Sequence, residues 1–271
     1  MTTLRDVVDY AHSLWPLTSA ESWDTPGLVT GNLEQPIRRI LLCVDAVAAT
    51  VDQAVALQAD LLVAHHPLLM RGVTTVSEQT YKGSVVSTLI RGNVALLAAH
   101  TNADVVENGV SDVIARALSL SATSPITAST APGTGIGRVG VLPEPVALGT
   151  LARTLAELLP VTAGGIKVSG DFTQLVQRVA LCGGAGDSLL GEPAVTGADV
   201  YITSDLRHHP AQEAREQALL NMGPALIDVS HWASEWLWLE TAAAQLQAQF
   251  PEIDVEVSEL RTDPWDFVVV Q

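Results

Sequence analysis

Four of the seven histidines in this chain occur as two His-His-Pro sequences. The first pair, His65 and His66, ends the apolar stretch "ADLLVA"; the second, His208 and His209, follows the apolar "ADVYIT" after a short polar segment. Imidazole is the commonest metal ligand among side chains, and it exchanges protons near neutral pH. The repeated sequence raises the question of whether both pairs belong to one chemical site.

A second repeated pattern joins a histidine to an acid. In both "LLAAHTNAD" and "LIDVSHWASE" an apolar stretch precedes a histidine, and an acid follows four residues later. This spacing puts the two side chains on one face of a helical turn. In open α/β sheets, ligands bind at the carboxyl ends of the strands, so we expect these residues to converge with the first histidine pair. The candidate metal ligands are His65, His66, His100, Asp104, His231 and Glu235.

The chemistry expected of this set is the binding of two divalent metal ions. Four imidazoles and two carboxylates exceed the ligand number of a single tetrahedral site, and they suit zinc, iron, manganese, cobalt or nickel. Adjacent residues on an extended backbone point in different directions, so His65 and His66 suit neighbouring ions. A single histidine at a strand end is more often structural, but six such residues in a repeated pattern favour metal. No cysteine lies nearby in the sequence, which favours an open, catalytic type of site.

The elements that position these residues follow a strand-helix rhythm. Short apolar runs such as "IRRILLCV", "VALLAA", "VQRVALC" and "PALIDV" alternate with segments of helical character. This rhythm predicts a layered α/β protein with a largely parallel sheet. The uncharged segment 119–137, rich in Ser, Thr, Ala, Pro and Gly, is predicted to be a linker. The predicted division is therefore a first repeat at 1–118 and a second at 138–271.

The two halves align with a constant offset, which indicates an internal duplication. An offset of 139 residues pairs Arg39 with Arg178, Cys43 with Cys182, and Asp60 with Asp199. The same offset places Ser204 and Asp205 opposite the first histidine pair. The second His-His-Pro is therefore not the repeat of the first. We predict that the first pair binds metal directly, whereas His208 and His209 line the pocket from the start of a helix.

Composition argues against two classes of partner. Thirty acids stand against 14 bases, a net charge of −16 that opposes binding to a phosphate backbone. No uninterrupted apolar run is long enough to span a bilayer. The N-terminus reads as an amphipathic helix and not as a signal peptide, so a cytoplasmic location is expected. Cys43 and Cys182 lie in apolar runs and are expected to be buried, reduced thiols.

Two shorter motifs carry weaker signals. The glycine-rich "CGGAGDSLLG" at 182–191 is consistent either with an anion cradle of backbone N–H groups or with a tight structural turn. It lacks the lysine of a phosphate loop. Asp24, within "SWDTPGLVTG", is predicted to cap backbone groups near the pocket.

Several motifs together resemble one protein family. In order, they are "WDTPGLVTG", "HHPLL", "AAHTNADVVENGVSD", "GRVG", "GGAGDSLL", "ADVYITSDLRHH" and "DVSHWASE". In this order they resemble the NIF-three-like proteins (Ngg-one-interacting factor three), whose bacterial members are labelled GTP cyclohydrolase 1 type 2 homologues. The resemblance implies two intertwined repeats, each a mixed, mostly parallel sheet flanked by helices. It also implies a dinuclear metal centre on the six residues named above and a homohexamer.

The sequence departs from the family in two places. The usual Thr-Gly-Glu before the second histidine pair is here Thr203, Ser204 and Asp205, which shortens the acid. Longer family members carry an extra domain between the halves, where this chain has only the segment 119–137. The resemblance thus implies the minimal form of the family, which consists of the two repeats without the extra domain.

Two functions of different kinds remain open from the sequence. The first is a metal-dependent hydrolase of a small molecule, and the family label implies a nucleotide, with Asp205, His208 or His209 moving protons. No sequence feature recognises guanine, so that substrate rests on the label alone. The alternative is a non-catalytic metal chaperone or regulatory scaffold with the same ligands. A ring that encircles DNA is opposed by the charge.

Overall fold

The structure, a computed structural model, describes residues 1–220 and 222–270. The chain forms two compact units, each assembled from segments that are distant in sequence. Unit 1 comprises residues 1–103 and 239–262, and unit 2 comprises residues 104–238 and 263–271. The chain therefore leaves unit 1, builds most of unit 2, and returns, as expected for intertwined repeats.

Unit 1 is built on a five-stranded sheet in the order β1-β4-β3-β2-β13. β2, β3, β4 and β13 are parallel neighbours, and β1 runs antiparallel to β4 at one edge. Its strands are β1 (Gly27–Thr30), β2 (Arg39–Asp45), β3 (Leu61–His66), β4 (Ala95–Ala98) and β13 (Asp254–Val257). Its helices are α1 (Leu4–Leu14), α2 (Ala48–Ala56), α3 (Tyr81–Arg91) and α4 (Thr101–Asp104), the last ending at the first residue of unit 2.

The central strands of unit 1 are apolar except at their ends, and their side chains are buried. β4 is buried along its whole length, and β3 is buried up to its last residue. One face packs against α2 and α3 in a cluster that includes Leu41, Leu62, Val85 and Leu89. Continuous apolar strands of this kind are typical of parallel sheets, as the sequence rhythm predicted.

Unit 2 contains a six-stranded sheet in the order β5-β8-β10-β11-β12-β9. β10, β11 and β12 are parallel, whereas the pairings of β5 with β8, β8 with β10, and β12 with β9 are antiparallel. Its strands are β5 (Ser121–Ser124), β8 (Arg138–Ala147), β9 (Lys167–Ser169), β10 (Leu175–Ala185), β11 (Val200–Ser204) and β12 (Ala225–Val229). A small hairpin pairs β6 (Thr127–Ala128) with β7 (Gly135–Ile136). The predicted fold class, a mixed α/β protein with helix-flanked sheets, is confirmed.

The helices of unit 2 follow its strands in the predicted rhythm. They are α5 (Val110–Ala117), α6 (Leu148–Leu158), α7 (Pro193–Thr196), α8 (His208–Leu219) and the long α9 (His231–Gln249). Residues up to Trp238 of α9 belong to unit 2, and the remainder belongs to unit 1. Short 3-10 turns occur at Leu17–Ser19 and Asp187–Leu189.

The duplication is visible in matching registers and hydrogen bonds. Ile40 pairs with Leu61 in unit 1, and Val179 pairs with Val200 in unit 2, each shifted by the offset found in the sequence. The equivalent acids Asp60 and Asp199 perform the same task. Asp60 accepts the backbone N–H groups of Arg38 and Arg39 at 2.7 and 3.0 Å, and Asp199 those of Gln177 and Arg178 at 2.8 and 2.7 Å. The alignment of the two halves therefore describes real structural equivalence.

The segment predicted as a linker, 119–137, is more structured than its composition suggested. It contains β5, β6 and β7, and β5 extends the sheet of unit 2 by pairing with β8. Threonine is enriched in strands because of its branched Cβ, and β5 is an edge strand that is exposed along its length. The hairpin requires glycine at position 135. Its φ is +148°, and a Cβ there would lie 2.1 Å from the carbonyl oxygen of Thr127 on the paired strand. The sequence division at 118 and 138 does not coincide with the boundaries of the two units.

Among the described residues, none of the helices combines the length and the apolar character that a bilayer crossing requires.

Candidate metal centre

The first group of candidate ligands lies at the carboxyl ends of two neighbouring parallel strands in unit 1. His65 and His66 are the last residues of β3, and His100 is the second residue after the end of β4. Their ligand atoms all lie within 4.8 Å of one another. His65 is fully buried, and the other two rings are partly exposed. The predicted convergence of these three histidines is therefore present in unit 1.

Each ring in this triad is oriented by an acceptor at Nδ1. The acceptors are the carbonyl of Ala99 for His65 at 2.8 Å, Asp45 for His66 at 2.8 Å and Asp24 for His100 at 2.9 Å. When Nδ1 is used in this way, Nε2 becomes the atom that the ring offers to a metal. Metal-binding histidines characteristically carry such a carbonyl or carboxylate on the other nitrogen.

Asp24 combines orientation of His100 with the predicted capping role. Its carboxylate accepts the backbone N–H of Thr101 at 3.1 Å and the Thr101 hydroxyl at 2.5 Å. Burial raises the pKa of Asp24, but the hydrogen bonds from His100 and Thr101 outweigh burial and lower the pKa to about 2. Asp24 is thus a fixed anion that locks the tautomer of His100.

The second group lies in unit 2 at the start of α9, which follows β12. His231 and Glu235 are four residues apart on the helix, and Nε2 of His231 lies 2.9 Å from Oε1 of Glu235. Nδ1 of His231 contacts Oδ2 of Asp205 at 2.8 Å. The hydrogen bond with His231 is the main cause that lowers the pKa of Asp205. Asp205 therefore orients His231 as Asp24 orients His100.

Asp104 and Glu235 both lie near the buried thiol of Cys182. Burial, with the charges of Asp104 and Glu235 added, raises the pKa of Cys182 to about 12. Glu235 is itself buried, with 3% of its surface exposed. The fold thus brings a cysteine beside these acids although none is close in the sequence. At neutral pH this thiol is therefore protonated and a weak nucleophile.

The second His-His-Pro lies where the offset predicted. His208 and His209 are the first two residues of α8, both are exposed, and their ring centroids are 5.1 Å apart. The structure thus separates them from β11, the strand equivalent to the one that carries His65 and His66. Their contact with a substrate stays a prediction.

Asp45 is a functional candidate that the sequence reading missed. It is the last residue of β2, and its Cα is the register partner of His66 on β3. Ends of neighbouring parallel strands meet at one edge, so an acid that closes "ILLCVD" could have been identified by the same argument that selected the histidines. The role of Asp24 toward His100 had no comparable signal, because 76 residues separate them.

The donor set fits divalent metal ions. Imidazoles whose Nδ1 atoms are held by a carbonyl or carboxylates, together with acids beside His231, are the ligands that borderline cations prefer. The anchoring acids Asp24, Asp45 and Asp205 add negative charge that compensates a cation.

The fold and these donors define one class of protein. A model of the family Duf34/NIF3 (NGG1p interacting factor 3) matches residues 2–264, and the chain belongs to this family. The resemblance recognised in the sequence is therefore confirmed.

Individual relatives support the same assignment. The chain is 47% identical over 272 residues to a protein of Streptomyces coelicolor named "GTP cyclohydrolase 1 type 2 homolog", with 98% of this chain and 94% of the relative covered. A Mycobacterium bovis protein of the same name is 33% identical over 371 residues, with 97% and 96% covered. The second alignment is longer than this chain, so that relative carries inserted sequence, in agreement with the minimal form expected here.

The solved structure of a Bacillus cereus protein related to NIF3 shares the fold. It superposes with a TM-score of 0.88 at 23% identity, over 98% of this chain and 99% of that protein.

Proposed function

We propose that this protein binds two divalent metal ions per chain and uses them as a metal-dependent hydrolase. The observation that carries the proposal is that Nδ1 of each of the four candidate imidazoles is held by a carbonyl or a carboxylate. One set of ligands is the triad of His65, His66 and His100, and the other is Asp104, His231 and Glu235. The dinuclear character of the centre is taken from the family resemblance.

The bound ions would supply Lewis-acid chemistry, which polarises a substrate and lowers the pKa of water. The residues of the chain have distinct tasks in this proposal. The triad binds metal through Nε2, while Asp24 and Asp45 hold the rings in the tautomer that leaves Nε2 deprotonated. Asp205 orients His231 and, with His208 and His209, exchanges protons with the substrate.

The proposed substrate is a small molecule of the nucleotide class. The relatives are named GTP cyclohydrolase 1 type 2 homologues, and opening the imidazole ring of a purine needs an activated water and an acid for the ring nitrogen. An imidazole at the exposed start of α8 is accessible to such a substrate. The guanine specificity in that name belongs to the relatives.

The alternative is a metal chaperone or regulatory scaffold with the same ligands and no turnover. Metal-loaded protein should be assayed against a panel of nucleotides, cyclic dinucleotides and phosphoesters. Turnover that disappears in His66→Ala supports the hydrolase. Tight metal binding without turnover across the panel supports the scaffold.

Elemental analysis of protein purified without added metal, and again after metal addition, tests the core of the proposal. We expect about two divalent ions per chain in the metal-replete protein. Loading with Mn²⁺ followed by electron paramagnetic resonance then tests the dinuclear character, because adjacent ions show spin coupling. A reproducible ion count near zero after metal addition would contradict the proposed function. We also propose a cytoplasmic, homo-oligomeric protein.

A further inference from the structure

Gly184 lies near the carboxyl end of β10, directly against the second group of candidate ligands. A Cβ built on Gly184 would lie 2.6 Å from Oε1 of Glu235 and 3.3 Å from Nε2 of His231. The first distance is shorter than real Cβ atoms approach another heavy atom. Any side chain at position 184 must therefore displace the carboxylate of Glu235 or move the backbone.

The backbone at Gly184 is held on both sides and cannot easily retreat. Its N–H donates to Oγ of Ser234 at 2.9 Å, and its carbonyl accepts the hydroxyl of Thr203 at 3.1 Å. The hydroxyl of Ser234 in turn donates to the carbonyl of His231 at 2.7 Å. Ser234 and Thr203 are both buried. A side chain at position 184 would therefore displace the carboxylate at the end of the flexible Glu235 side chain, and not the backbone.

The conformation of Gly184 adds a second reason for glycine. Its φ of +69° lies in the left-handed region, which glycine adopts without the steric cost of a Cβ. Gly184 thus lies in the last part of β10, where the register with β11 shifts, and its lack of a side chain makes room for the candidate ligands.

We propose that Gly184 is a positioning residue: the absence of a side chain there keeps the carboxylate of Glu235 beside His231, so that both can bind the same ion. This inference rests on the proposed function, because it takes Glu235 and His231 as metal ligands. Gly184 itself contacts neither substrate nor metal in this proposal.

The test is Gly184→Ala, with metal content measured by elemental analysis and affinity by competition with a chromophoric chelator. We expect the variant to lose one ion per chain, or to bind it with an affinity reduced on the order of tenfold or more, as when groups that orient metal ligands are changed. Gly165→Ala is the matched control, because Gly165 has a φ of +59° and a Cβ there meets nothing within 4 Å. It introduces the same kind of backbone strain, and its metal content should equal that of the wild type.

A second variant separates positioning from general damage. Gly184→Ala combined with Glu235→Asp shortens the acid and makes room for the added methyl group, so it should regain part of the lost affinity. Unchanged metal binding in Gly184→Ala would overturn the inference. An unfolded Gly184→Ala beside a folded Gly165→Ala would also overturn it, because the carboxylate is expected to yield before the fold does. A wild-type protein that binds no metal would instead refute the proposed function itself.

Discussion

We expect the carboxylates that contact the candidate histidine ligands to determine how well the rings bind metal. Asp45 contacts Nδ1 of His66 from the end of the neighbouring strand, and Asp24 contacts Nδ1 of His100 from a loop. A carboxylate in this position fixes the ring and raises the basicity of its other nitrogen. In the proposed function, the acid on each ring is thus part of the site without being a metal ligand itself.

Asp45→Asn should weaken metal binding without unfolding the protein. The amide can still accept from Nδ1, but the negative charge that strengthens the ligand is lost. We expect an affinity about 10–100-fold lower for one ion, measured by chelator competition. Asp254→Asn, a change to an acid that pairs with Arg39 on the same sheet, is the control. Equal metal affinities in Asp45→Asn and the wild type would contradict a role of Asp45 in metal binding.

The two histidine pairs should respond differently to truncation. His66→Ala should lose at least one ion, because it removes a member of the triad. His209→Ala should keep both ions and lose any hydrolytic activity, because this ring lies at the exposed start of α8. The measurement is the number of bound metal ions per chain in each folded variant. Equal metal loss in the two would mean that the repeats are misaligned.

At the scale of elements, the sequence predicted the structure where burial of apolar side chains alone determines which strands pair and in which register. Apolar strands with the offset of 139 predicted the equivalent registers of β2 with β3 and β10 with β11, because a fully buried strand tolerates no slip. The segment 119–137 was not predictable in this way. β5 and β6 are exposed and consist of Ser, Thr and Ala, so no apolar pattern marks them; β5 pairs with the edge of β8, and β6 pairs with β7.

The equivalent acids Asp60 and Asp199 give a stability test of the duplication. Each accepts two backbone N–H groups of a neighbouring strand or the residue before it, so alanine leaves both donors without this acceptor. We expect Asp60→Ala and Asp199→Ala each to lower the free energy of unfolding by about 1–3 kcal/mol, measured in urea. Asp52→Ala, an exposed position on α2, should change it far less. An unchanged free energy of unfolding in Asp60→Ala would contradict the role of Asp60 as the acceptor of these two N–H groups.

The equivalent cysteines on β2 and β10 should be inert in the native protein. Burial raises the pKa of Cys43, and burial together with nearby carboxylates raises the pKa of Cys182 to about 12. Since the thiolate is the reactive form, little of either thiol can react at pH 8. Titration with Ellman's reagent should therefore detect almost no thiol in native protein and both after unfolding. Rapid reaction of either thiol in the native protein would contradict its burial.

At the scale of the whole molecule, the surface combines strong negative charge with exposed apolar residues. The net charge is −16, yet Trp265, Phe267 and Val269 are each at least 67% exposed in the C-terminal segment. Apolar side chains clustered in this way are typical of surfaces that become buried on association.

Sedimentation should therefore detect a homo-oligomer, and the family resemblance predicts about six chains in a closed ring. The chain mass of 28.6 kDa makes a hexamer easy to distinguish from a dimer. Removal of residues 264–271 should reduce the assembly, whereas the substitution Val161→Ala at another exposed position should not. A monomer at micromolar concentration would contradict the prediction.

The return of the chain to unit 1 has a consequence for biosynthesis. β13 and the later part of α9 complete unit 1, and β13 covers the open edge of β2 by parallel pairing. While the ribosome is still making the second half, β2 exposes its unpaired edge, a template for aggregation. A gene cut near codon 118 should accordingly yield an insoluble N-terminal product, and co-expression of the missing half should rescue its solubility. The first repeat is therefore expected to stay soluble only when the residues that form β13 and the later part of α9 are also present.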